Sequence, residues 1–105
     1  MAKEKKPLIG QATPEQIAAW KEEHEDIFAI RVEDHICYLK KPSRRIVSAA
    51  SVAGRVDPLK FNATLLRECW LGGSDAIMKD DDLFLAAGGV LSDLIQVKEA
   101  ELEKL

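Results

Sequence analysis

A chain of 105 residues and 11.7 kDa has the size of one domain with one modest core. Hydrophobic residues at 47% against 31% charged argue against general disorder, and a formal charge of −3 argues against a protein that lives on nucleic acid, where a basic surface is usual. No apolar run approaches the roughly 20 residues that span a bilayer, and no long apolar stretch follows the early lysines as it would in a secretory signal.

Residues 1–12, with Pro7, Gly10 and a lysine cluster, show no periodicity and read as a flexible leader. Residues 13–105 then read as a single α+β domain. Its first helix opens on Thr13 as cap, Pro14 at the first helical position and Gln16 three residues after the cap. Ile17, Trp20 and His24 follow at helical spacing, and the helix is expected to end near Glu25.

The period then changes. Phe28, Ile30 and Val32 alternate, and Ile36-Cys37-Tyr38-Leu39 is a second β-prone run. Glu33-Asp34-His35 between them predicts the turn of an antiparallel hairpin. Pro42 stops the second strand, and Ser43 caps a helix from Arg44 to about Arg55. Its apolar positions are Ile46, Val47, Ala49, Ala50, Val52 and Ala53. Asp57-Pro58 restarts the chain as a helix through Leu59, Phe61, Leu65, Leu66 and Trp70, with Gly72-Gly73 as its stop. Residues 74–79 read as a connection.

The last helix is expected from Asp81 or Asp82 toward Leu105. Its three opening aspartates favour the positive end of the helix dipole. Phe84, Ala87, Leu91, Leu94 and Leu102 form a stripe, with Leu105 beside it, and Gly88-Gly89 predicts a close helix contact rather than a break. The fold class is therefore one antiparallel β-hairpin packed with about four α-helices, the C-terminal two thirds mainly helical.

Catalytic and ligand chemistry is sparse. Cys37 and Cys69 are too few for the disulfide framework of a secreted domain and read as small packing residues, which makes a cytoplasmic location the economical one. His35 and Cys37 are a single pair without a second pair at zinc spacing. Asp80-Asp81-Asp82 lacks the spaced ligands of a calcium loop and reads as helix capping. Neither glycine pair belongs to a phosphate loop. No catalytic residue, cofactor or metal is expected, and the chain reads as no enzyme.

Charge is uneven. Residues 31–67 sum to +5 (eight Lys or Arg, three acids), whereas residues 75–105 sum to −5 (three Lys, eight acids). Lys40, Lys41, Arg44 and Arg45 form a compact basic patch near Tyr38, more in keeping with a solvated strand end than with a nucleic-acid site. The apolar stripe that reaches Leu105 implies docking, and Leu91, Leu94, Leu102 and Leu105 are the expected partner-binding surface. Trp70 and Phe84 are expected in the core.

The strings TPEQIAAWKEEH, YLKKPSRR, DPLKFNATLLRECWLGG and DDDLFLAAGGVLSDLIQVKEAELEKL together resemble the small tail assembly chaperones of long-tailed bacteriophages and their prophage relatives. The resemblance covers Thr13 to Leu105. It implies a small α+β or mainly helical, non-enzymatic protein of the bacterial host's cytoplasm. Such a protein would coat the long helical tape measure protein until tail tube subunits polymerise around it, with the tube protein a further candidate partner. Two alternatives belong to other classes. One is a self-assembling structural or adaptor protein of a virion or prophage element, a homo-oligomer held by the charge split. The other is a small nucleic-acid-binding regulator using the basic patch.

Overall fold

The computed structural model describes residues 7–24, 26–95 and 100–105. In chain order the elements are α1 (Pro14–Glu23), β1 (Ile27–Val32), β2 (His35–Lys40), α2 (Arg44–Val56), α3 (Pro58–Cys69), β3 (Trp70–Gly73), α4 (Ala76–Lys79) and α5 (Asp81–Leu91). A 3-10 turn over Ser92–Leu94 follows α5. The protein is α+β, as the alternation between periods of two and 3.6 implies.

The capping residues act as their chemistry dictates. Thr13 Oγ1 accepts the Gln16 N–H while Gln16 Oε1 accepts the Thr13 N–H, a complete capping box. Ser43 Oγ accepts from Ile46, Asp57 Oδ1 from Leu59, and Asp80 Oδ1 from Leu83. The aspartate run therefore opens a helix, as expected of it.

The sheet has three strands in the order β1-β2-β3, all antiparallel. The third strand departs from the expectation: α3 stops at Cys69, and Trp70-Leu71-Gly72-Gly73 runs beside β2 instead of completing the helix. Gly73 makes this possible. Its φ is +132°, and a Cβ there would lie 2.4 Å from the Cys37 Cα. The register slips between Tyr38 and Leu39, which pair with Gly72 and Trp70 and leave Leu71 as the extra residue of a bulge.

Strand β2 is covered on both faces, which explains its unbroken apolar run. Cys37 and Leu39 face a core with Ile30, Val32, Leu66, Cys69, Ile77, Ala87, Leu91 and Leu94, drawn from β1, α3, α4, α5 and the closing turn. Trp70 and Phe84 pack against this core partly buried. On the opposite face Trp20 of α1 lies over Tyr38 at a ring separation of 5.4 Å.

Residues 8–12 are not a loose leader. The Ile9 N–H donates to the Asp34 carbonyl, the Ile36 N–H donates to the Ile9 carbonyl, and the Ala12 N–H donates to the Tyr38 hydroxyl. This strap lies over the His35–Ile36 end of β2. Leu8 and Gln11 close its own turn. Residues 1–6 lie outside the described residues.

The last helix is also shorter than expected. It passes through Gly88-Gly89 without breaking, and Gly88 is a true close contact: a Cβ there would sit 2.9 Å from the Asn62 Nδ2 of α3. Gly89 meets nothing. The helix ends at Leu91 because Gly88, Gly89 and Val90 are followed by Ser92 and Asp93. All five are weak helix formers, and Asp93 is an acid where the dipole favours a base. Residues 100–105 carry no helix.

Candidate docking face on α2

The four leucines expected to form one surface are divided by the fold. Leu91 and Leu94 are 0% and 4% exposed and belong to the core. The helical stripe Ala87-Leu91-Leu94 points inward, and of the two leucines only Leu94 reaches a surface pocket, beside Phe28, Val90 and Asp93. Leu102 and Leu105 are fully exposed and lie beyond α5, so they do not continue that stripe.

Besides Leu102 and Leu105, the exposed large apolar residues among those described are Ile9, Leu59, Leu85 and Val90 and, on α2, Val52 and Val56, of which Val56 is the most open. This helix packs on α3, with no comparable contact to another element. Ala50 is its one buried residue. Gly54 lets Phe61 approach, since a Cβ there would be 3.0 Å from that of Phe61. On the far side Arg45, Ala49, Val52 and Val56 are all exposed. Their spacings of four, three and four place them on one narrow face of a 3.6-residue helix. Val52 is 57% and Val56 86% exposed, and Leu59, across the turn into α3, is 50% exposed.

The apolar residues of α2 signal in the sequence that some apolar surface of this helix stays uncovered, though not which side. Ile46, Val47, Ala49, Ala50, Val52, Ala53 and Val56 go most of the way round the helix, more than a single neighbour covers.

The N-terminal end of this face opens into a pocket of about 670 Å³ lined by His24, Lys40, Lys41, Ser43, Arg45, Ile46, Ala49 and Glu68. Pro42 and the Ser43 cap place it where β2 hands over to α2, so the cationic strand end and the positive helix terminus coincide. Among the described residues Arg67 pairs with Glu68 at 3.4 Å, and the His24 imidazole lies 3.8 Å from the Glu23 carboxylate. Lys40, Lys41 and Arg45 have no carboxylate partner among these residues, and the pocket's one acid, Glu68, is turned toward Arg67.

The other reactive groups are engaged elsewhere. His35 is half-buried rather than solvated at the hairpin tip, and its Nδ1 lies 2.7 Å from the buried Ser74 Oγ. Burial pushes the Cys37 thiol up to about 11 and raises that of Cys69, so both stay protonated near neutrality. Among the described residues no three His, Cys, Asp or Glu side chains gather as a metal site. No described helix is long and apolar enough to cross a membrane.

No family model, curated protein or solved structure matches this chain. The arrangement of its own residues is therefore what any functional reading rests on, beside the resemblance of the strings quoted above.

Proposed function

We propose that this chain is a non-enzymatic tail assembly chaperone of a long-tailed phage or prophage. It binds helical segments of the tape measure protein in the host cytoplasm and keeps them soluble before the tail tube assembles. The observation that carries the reading is the exposed stripe Ala49-Val52-Val56 on α2, extended by Leu59. A water-facing helix with valines at i and i+4 suits an amphipathic partner helix, which would supply the cover that its own fold withholds. The resemblance names which helical partner that is.

Co-expression with the longest helix-rich protein encoded just downstream tests this. The long protein is expected to become soluble and to co-purify with several copies of this chain. Val52→Asp with Val56→Asp is expected to abolish co-purification while leaving the circular dichroism spectrum intact, because neither side chain is in the core. A long protein that stays insoluble, or a double variant that still retains it, counts against the reading.

One observation favours self-assembly as a second reading. Leu102 and Leu105 are fully exposed beside Glu101 and Glu103, an acidic apolar segment suited to the basic pocket of another copy. A stable, salt-sensitive oligomer of the isolated chain would support it.

A further inference from the structure

We infer that the segment received by α2 is an amphipathic helix carrying a cluster of carboxylates at one end, and that Lys40, Lys41 and Arg45 read that end. This rests on the proposed helix-binding role of α2 and adds the chemistry and register of the partner. The stripe and the pocket are one continuous surface: Arg45 and Ala49 belong to both. Along it the character changes in one direction, from cationic at Lys40, Lys41 and Arg45 to apolar at Val52 and Val56. From Arg45 to Val56 the face spans eleven residue steps, about 17 Å or three helical turns.

A phosphate ligand would use the cations and leave the valines uncovered. A wholly apolar helix would cover the valines and pass over three cations that lack a carboxylate partner among the described residues. An acidic-ended amphipathic helix satisfies both ends at once. The charges at the rim then fix which way the partner lies, as they do at protein interfaces generally. Glu68, paired with Arg67 at the pocket margin, leaves the cationic side in excess.

The test uses two synthetic amphipathic helices with the same leucine face, one ending in a run of glutamates and the other in glutamines. Each is titrated into the full chain by fluorescence anisotropy at low salt. The glutamate peptide is expected to bind roughly tenfold more tightly, in keeping with a few partly exposed ion pairs. Lys41→Glu with Arg45→Glu is expected to erase or invert that preference, and added salt to narrow it. Val52→Asp with Val56→Asp is expected to remove binding of both peptides.

Equal affinity for the two peptides would overturn the inference while leaving helix binding by α2 standing. Loss of neither peptide in the valine variant would sink the helix-binding role itself. Two further outcomes overturn the inference. One is an RNA oligonucleotide that competes with the glutamate peptide and requires Lys41 and Arg45. The other is a wild-type oligomer that dissociates on Glu101→Lys with Glu103→Lys, which would make a second copy the occupant.

Discussion

Single residues carry two of the tensions in this fold. Glu33 opens the two-residue turn between Val32 and His35 with φ 53°, in the left-handed region. Tight hairpins require that conformation, and an L-residue with a side chain pays roughly 1–2 kcal/mol for it. Glu33→Gly is therefore expected to raise unfolding free energy by up to about 1 kcal/mol once glycine's larger entropy loss is subtracted, measurable in urea. Unchanged or lower stability would mean that the Glu33 side chain contributes more than its backbone costs.

Cys37 works the other way. Its buried thiol is held protonated, with a folded-state value of about 11 against 9.0 for the free group. Below pH 9 both folded and unfolded chains hold the proton and the stability is fully present. Between about 9 and 11 only the unfolded chain releases it, so stability falls as pH rises, by about 2–3 kcal/mol in all. Denaturation at pH 8 and pH 10.5 is expected to show a smaller loss in Cys37→Ala than in the wild type. Equal losses in the two chains would remove Cys37 as the cause.

At the scale of elements, the strap of residues 8–12 shows what local sequence conceals. Nothing periodic marks this segment, because its hydrogen bonds go to Asp34, Ile36 and Tyr38, more than twenty residues away. Gly10 is what admits it: its φ is +90°, and a Cβ would fall 2.2 Å from the Ser74 amide nitrogen. That amide already donates to the Ile36 carbonyl, so the neighbour is backbone and has little room to yield. Gly10→Ala is expected to detach the strap or cost about 2 kcal/mol or more, since both the conformation and the space are lost. Amide exchange at Ile9 and Ile36 would report detachment, and a chain with unaltered protection and stability would refute the account.

The starts of α1, α2, α3 and α5 were legible because each rests on a local side-chain cap at Thr13, Ser43, Asp57 or Asp80, whereas α4, whose Asp75 makes no such cap bond, fell within the expected connection 74–79. The end of α5 was not, since Leu94 keeps its helical spacing and stays in the core after the helix has become a 3-10 turn. Strand β3 was hidden for the related reason that Gly72-Gly73 serves equally as a helix stop and as a close-packed strand.

For the molecule as a whole, the core and the docking face lie on different elements. The core joins the sheet to α3, α4 and α5, whereas α2 only edges it with the half-buried Ile46 and otherwise leans on α3 through the buried Ala50 and the Gly54–Phe61 contact. Sequence made α2 itself plain, but which side of it meets water depends on where α3 lies, and that is settled only by tertiary packing. A helix held on one side opens locally at lower cost than a strand covered on both faces, and binding elements are drawn from that end of the stability range. Backbone amides in the middle of α2 are therefore expected to exchange at least tenfold faster than those of β2, an opening about 1.4 kcal/mol or more below global unfolding. Binding of an acidic amphipathic helix should close this gap, because a covered α2 face can open only after the partner leaves. If α2 and β2 exchange together without a partner, α2 is part of the cooperative core. The partner would then have to be sought at the exposed Leu102 and Leu105 instead.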